Sequence, residues 1–326
     1  MGGCRVGGHH YRGGMVTSAP AAPPPARTMG FTPWVIVAII VTVLAWSSAF
    51  IVIRGTGPYI GGGALALARL VVGAVLLGVV VLLGRKWVAP TAREWLLIAG
   101  FGIAWFGAYN VALNVAEQTL DAGTTAMLVN IGPILIALGA GVFLREGIPR
   151  WLAIGAGVAF IGVLLIGFGT GTARFGDGAG IFWCLLAAVT YAAGVLMQKP
   201  ALKRLPASQV TWLGCVIGMV TCLPFAGDLV ADLQTAPSSA VLGAIYLGAV
   251  PTALAFSTWA YALTRVPAGQ LGVTTYIVPS LVVILGVIFF HETPVPLAIA
   301  GGVVCLVGVG LSRRRSTPRV TGASRE

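Results

Sequence analysis

Acidic side chains are scarce in this chain: nine Asp and Glu among 326 residues, each in a polar connection or at the end of an apolar run. A proton relay through a carboxylate in the middle of a membrane span is therefore not expected. Histidines number three, and His9, His10 and His291 have no further ligand at a usable spacing, so no metal site and no cofactor are expected. Of five cysteines, Cys184, Cys215, Cys222 and Cys305 lie inside apolar runs without ligand spacing and read as small apolar filler. HExxH and GxSxG are absent, and Ser47 and Ser48 have no His or Lys at their depth to activate them. These absences argue against an enzyme.

Apolar surface is what the chain has in excess. Hydrophobic residues make up 57% and charged residues 9%, with a mean hydropathy of +0.95, a balance that no water-facing domain of this size tolerates. Uncharged stretches at about 33–53, 95–116, 122–144, 151–173, 178–198, 205–227, 239–264, 266–290 and 293–312 are each long enough to cross a hydrocarbon core, and a tenth, 61–84, is interrupted only by Arg69. The runs are continuous and do not alternate in polarity, which predicts helices and excludes a barrel.

Lysine and arginine set the expected orientation. With the N-terminus inside, seventeen of the twenty fall in cytoplasmic segments and only Arg54 and Arg174 outside, leaving Arg69 within a span. That bias predicts a multi-pass protein of the cytoplasmic membrane with both termini in the cytoplasm. The formal charge of +11 is then a topology signal and implies no nucleic acid; the expected partners are the bilayer and a small-molecule substrate, the protein being a monomer or homodimer. Residues 1–32, rich in Gly, Pro, Ala and Arg, read as a disordered basic tail, and 313–326 as a basic cytoplasmic tail. Met29 stands as an alternative start.

The chain also repeats itself. Pro279 lies 146 positions after Pro133, and Glu292 lies 146 after Glu146, with Ala122 on Ala268, Gly123 on Gly269, Phe143 on Phe289, Gly155 on Gly301 and Gly162 on Gly308 in the same register. Trp46 falls on Tyr191 and Arg54 on Lys199 at an offset of 145. Each copy holds five apolar spans, an odd number, so the second must run through the membrane inverted. The division is 33–173 for the first repeat and 174–312 for the second. The expected fold is an all-α integral membrane protein, ten transmembrane helices as two inverted five-helix repeats around a central cavity.

Trp46-Ser47-Ser48-Ala49-Phe50 closing the first helix, Arg69 in the second, and a Pro-x12-Glu unit with Gly nine residues after the Glu in both halves resemble the EamA family of the drug/metabolite transporter superfamily. The resemblance spans residues 33 to 312. It implies a ten-helix basket exporting amino acids or other small metabolites, with the cavity lined mainly by helices 1, 3, 4, 6, 8 and 9 and with helices 5 and 10 at the back.

Several residues are candidates for that cavity. Asn110 shares one helical face with Phe106 and Asn114, with Tyr109 beside it, and an amide in lipid must look into protein or water. Trp46 and Tyr191 are repeat equivalents, one aromatic from each half; Ser47, Phe50, Asn130, Trp259, Thr275 and Tyr276 complete the expected lining. Interhelical packing alone would also explain these polar positions. Pro133 and Pro279 predict interrupted helices, either as shape or as a pair of hinges, one gating each side. Glu146 and Glu292 end helices at opposite faces and read as loop closure, while Arg69 either meets a substrate carboxylate or ties its helix to nearby carbonyls. Gly155/Ala159 and Gly301/Cys305 are small-xxx-small pairs suited to close helix contact. The inventory predicts secondary transport of neutral or zwitterionic solutes without proton coupling. The alternative is a proton-coupled drug transporter, or a carrier of nucleotide-sugars or lipid-linked substrates.

Overall fold

The computed structural model describes residues 1–3, 31–120, 122–144, 148–169, 178–290 and 296–312. Most of both tails, together with Glu146 and Glu292, lies outside the described residues, so the expectations placed there have no structural counterpart here. All regular structure among the described residues is helical.

The first helix, α1 (Pro33–Thr56), starts where Thr32 accepts the Val35 N–H at 3.4 Å and Pro33 presets the backbone, so the WSSAF segment lies inside the helix and does not close it. Straight α2 (Gly62–Gly84) follows. Next, α3 runs through Ala92–Phe101, a wide π segment Gly102–Ala108, and Tyr109–Thr119. Helix α4 (Ala122–Val129 and Gly132–Phe143) is interrupted just before Pro133, and α5 (Arg150–Gly169) ends the first half. In the second half come α6 (Gly178–Ala201), then α7 (Ala207–Thr221 and Leu223–Phe225, continuing as Ala226–Thr235), which bends by 52° at Cys222. After it, α8 runs through Ser238–Leu247, a second π segment Gly248–Leu254, and Ala255–Leu263. Finally α9 (Ala268–Val273, Thr274–Tyr276, Ile277–Phe290) tightens to a 3₁₀ turn before Pro279, and α10 (Pro296–Ser312) closes the set. Seven of these are long and apolar enough to cross a membrane alone, α7 qualifies as a bent pair, and α5 and α10 contain shorter apolar helices. The ten-helix expectation is compatible with this count among the described residues.

The duplication is a structural fact down to helix irregularities. The starts of α1 and α2 recur 145 positions later in α6 and α7, and those of α3, α4 and α5 recur 146 later in α8, α9 and α10, including both π segments. The one-residue change of register falls between the start of α7 and the start of α8, the stretch that holds the bend.

Equivalent residues also touch each other, which traces the pseudo-two-fold axis through the molecule. Cys215 Sγ points at the Leu70 carbonyl at 3.6 Å across 145 positions, Trp46 and Tyr191 have ring centroids 6.4 Å apart, and Cys305 Sγ reaches the Ala159 carbonyl at 3.2 Å across 146 positions. Near the last pair, α5 and α10 close to backbone distance. A Cβ on Gly155 would stand 2.6 Å from the Gly308 carbonyl oxygen, and one on Gly162 would stand 2.6 Å from the Gly301 oxygen. Those two contacts are images of one another under the 146 register.

Outside the core the surface stays apolar: Leu82 and Leu83 are 77% and 78% exposed, and Phe143 is 77% exposed. Helices that are apolar on both faces need lipid as solvent, and the chain is a multi-pass membrane protein. At the rim where α1 begins, the near rim, the halves are tied by the loops. Val88 N–H donates to Gln209 Oε1 at 3.0 Å, Gln209 Nε2 returns a bond to the Val88 carbonyl at 2.7 Å, and Arg204 donates to the Ala89 carbonyl and to Glu94, each at 2.8 Å. At the opposite, far rim the Gly61 N–H donates to Asp232 at 2.8 Å.

The α5–α10 seam makes a direct prediction. Gly308→Ala, whose new carbon would lie 2.7 Å from the Gly155 oxygen, is expected to cost about 1–3 kcal/mol in detergent unfolding. Gly157→Ala, with open space around it, is expected to be neutral or slightly stabilising. Equal melting curves for the two variants would remove the seam from the account.

Candidate functional site

Near the pseudo-axis a cavity of about 40 Å³ is lined by Trp46, Ala49, Phe50, Arg69, Trp105, Tyr109, Asn110, Leu113, Val129, Asn130, Tyr191, Phe256, Thr275 and Val278. These come from helices 1, 2, 3, 4, 6, 8 and 9, while α5 and α10 contribute none. The space is narrow, with room for about three waters.

Its polar groups are positioned by backbone defects. Pro251 cannot donate to the Leu247 carbonyl four residues back, and the wide turn around it lets the Thr252 hydroxyl take that carbonyl instead, at 2.8 Å. The Pro251 carbonyl in turn accepts from Trp46 Nε1 at 3.2 Å. Thr252 Oγ1 then accepts from Arg69 Nε at 3.1 Å, so the proline in α8 fixes a guanidinium on α2. Arg69 is 3% exposed, and its Nη1 has no hydrogen-bond partner among the described residues.

The matching π segment of α3 has no proline, and Asn110 does the equivalent work. Its Nδ2 donates to the Trp105 carbonyl at 3.2 Å and to the Phe106 carbonyl at 2.8 Å. Asn130, at the interruption of α4, donates from Nδ2 to the Ala126 carbonyl at 2.6 Å. Carbonyl oxygens only accept, so in both residues the amide nitrogen must face the backbone. Among the described residues, Asn110 Oδ1 and Asn130 Oδ1 are left buried without a donor. The cavity thus combines a cationic donor with two amide acceptors.

Aromatic rings form the wall on the near-rim side of this set. Trp46 lies 5.8 Å from Trp105, 5.6 Å from Phe256 and 5.1 Å from Trp259, and Trp105 lies 4.9 Å from Tyr191 and 4.8 Å from Phe256, a continuous edge-and-tilt cluster. Arg69, seven residues from the far-rim start of α2, lies on the other side of it.

Of the residues singled out by sequence, Trp46, Phe50, Tyr109, Asn110, Asn130, Tyr191, Thr275 and Arg69 are brought to this one cavity. Trp259 is placed beneath it, in ring contact with Trp46 and beside a small gap shared with Thr42 and Thr275. Ser47 turns away, its hydroxyl bonded to the Val43 carbonyl at 2.8 Å, because a helical hydroxyl satisfies itself one turn back. Tyr276 is buried on the side facing α5 and α10, with Leu152, Ala156, Ala159 and Cys305. Asn114 reaches the Gly62 carbonyl at 3.0 Å and serves helix packing. Pro133 and Pro279 follow the interruptions of α4 and α9, and the residues four positions before them, Val129 and Thr275, both line the cavity. Ala49, Trp105, Leu113, Val129, Phe256 and Val278 were not anticipated.

One expectation is corrected. Glu117 is only 7% exposed within α3, so a buried acid does exist in a span, and Arg69 lies within its electrostatic reach. Its position at the end of an apolar run concealed the burial, because α2 and the α1–α2 connection pack over that end. Glu117 does not line the cavity.

A family model described as the EamA-like transporter family matches residues 33–168 and again 178–314. A probable terminal-alkyne amino-acid exporter of Streptantibioticus cattleyicolor is 35% identical over 290 residues, covering 88% of this chain and 96% of that protein. An uncharacterized transporter of Bacillus subtilis, YdfC, is 32% identical over 269 residues, covering 81% and 86%. A probable amino-acid metabolite efflux pump of Salmonella typhimurium is 25% identical over 241 residues, covering 69% and 80%. A solved crystal structure superposes with a TM-score of 0.70 at 18% identity, covering 87% of this chain and 99% of that one, a likeness of fold.

The Trp46–Pro251 bond separates two contributions of one side chain. Trp46→Phe, which keeps a ring and loses the N–H, is expected to cost about 1 kcal/mol in thermal unfolding, and Trp46→Ala about 3–5 kcal/mol. A Phe variant as damaging as the Ala variant would show that the N–H bond to the Pro251 carbonyl, and not ring packing, holds α1 to α8.

Proposed function

This chain belongs to the EamA-like transporter family, and from that premise we propose that it exports small zwitterionic metabolites of the amino-acid class by alternating access. The observation that carries the reading is the pairing, in one aromatic-walled cavity on the inverted-repeat axis, of a buried cation with amide acceptors. Two relatives named as exporters of amino acids or their metabolites support the substrate class. Trp46, Phe50, Tyr109, Asn110, Asn130, Tyr191 and Thr275 are the proposed substrate-contacting set, with Trp259 behind them.

The narrow volume gives the cycle its requirement: the aromatic layer must part for a solute to pass. Inverted repeats supply two related ways of doing so, since a bend available to one half is available to the other with opposite facing. The interruptions ahead of Pro133 and Pro279 are the proposed hinges. With both termini in the cytoplasm, the cross-tied near rim faces inward and the Arg69 side of the cavity faces outward.

Buried Glu117 favours a second reading, export coupled to protons. The first reading is preferred because this acid does not line the cavity.

Both readings are separable in proteoliposomes. Efflux of labelled amino acids down their own gradient is expected to continue within about twofold when an ionophore collapses the proton gradient. Asn110→Leu or Tyr191→Ala is expected to slow it by about tenfold, since each removes an interaction worth one to two kcal/mol, while Asp228→Asn leaves it unchanged. Uphill accumulation driven by a pH gradient and abolished by Glu117→Gln would establish the second reading. Orientation is checked with single cysteines in a Cys-free background: an impermeant thiol reagent applied to intact cells should label position 59 and spare position 87, and the reverse pattern inverts the topology.

A further inference from the structure

A charged side chain taken out of water is expected to have all its donors engaged, because each unmet one carries a desolvation cost. Arg69 departs from that rule in a particular place. Its Nε is held by Thr252 at 3.1 Å, its burial is almost complete, and Nη1 remains without a partner on the wall of the cavity. A residue that only tied α2 to α8 would need no more than the bond to Thr252, and a lysine or glutamine would serve. What the cavity gains from the guanidinium is a fixed, permanently charged donor facing its interior.

The acceptors stand on α3 and at the interruption of α4, on the same cavity. Asn110 and Asn130 spend their N–H groups on the Trp105, Phe106 and Ala126 carbonyls and offer only oxygen. Oxygen acceptors suit an ammonium and repel a carboxylate, whereas Arg69 does the opposite. Resting on the amino-acid reading above, we infer that the substrate is held by its carboxylate on Arg69, the anchor of the cavity. Its ammonium meets the oxygens of Asn110 and Asn130, and its side chain meets the rings of Trp46, Trp105 and Phe256. Glu117 compensates the guanidinium when the cavity is empty. The position has no counterpart in the second half, where the repeat equivalent of Arg69 is Gly214, so the cation comes from one half alone even though the backbone is duplicated.

The test uses the purified full-length protein in detergent and reads ligand-induced shifts in melting temperature. The ligands are L-amino acids, their amides, their decarboxylated amines, and short monocarboxylates lacking an amine. Wild type is expected to bind acids at least about tenfold more tightly than the matching amides, the scale of one charge-assisted hydrogen bond. R69Q should bring that ratio close to one while the affinity for amides stays within about twofold, and R69K should weaken acid binding by about threefold or more. A wild type that does not distinguish acid from amide, or is shifted by no carboxylate, overturns the assignment without any variant. So does a ratio that survives in R69Q, or an acid affinity unchanged in R69K. Monocarboxylates binding as tightly as amino acids would leave Arg69 as the anchor and remove the amino-acid reading; amines binding as tightly as amino acids would do the reverse.

Discussion

In lipid a backbone carbonyl released from its helix has no water to turn to, and this constraint organises the site. Where the helices around the axis widen, side chains meet the backbone: Thr252 at Leu247, Trp46 at Pro251, Asn110 at Trp105 and Phe106. Trp46, Asn110 and Asn130 both line the cavity and bond to helix carbonyls. In the two asparagines the amide nitrogen is spent on backbone and the oxygen is left over, which puts polar groups at an otherwise apolar site.

Arg69 belongs to the same chain of cause. Pro251 frees Leu247, Thr252 turns to it, and the oxygen of Thr252 holds Nε, so a proline on one helix determines where a charge on another comes to rest. The aromatic cluster beside it is apolar and closed, and the loops behind that cluster are tied across the halves by Gln209 and Arg204. On the other side the halves are joined by the Gly61–Asp232 and Ser48–Tyr246 bonds.

The sequence carried the architecture because a duplication repeats punctuation as well as composition. Prolines, glycines and a one-residue jump in register are legible without coordinates, and both π segments fall on that register. The candidate site was legible where polarity stands out against an apolar background, as at Asn110, Asn130 and Arg69. It was illegible where the cavity is walled by residues that any core would use, such as Trp105 and Phe256, and where direction matters, as for Ser47 and Tyr276, one turn or one face away. Burial of Glu117 depends on which connection folds over the end of α3, a tertiary fact that no local pattern encodes.

Symmetry at the level of backbone has been filled with unlike side chains: Asn110 stands opposite Phe256, Trp46 opposite Tyr191 and Arg69 opposite Gly214. Along the α5–α10 seam the opposite holds, since Gly155 and Gly308 meet through main-chain atoms. A bulky change there cannot be rescued by trimming the partner, because the atom in the way is a carbonyl oxygen that every amino acid carries. Each copy has therefore lost the freedom to vary at that contact independently of the other, and the seam records the duplication more strictly than the cavity does.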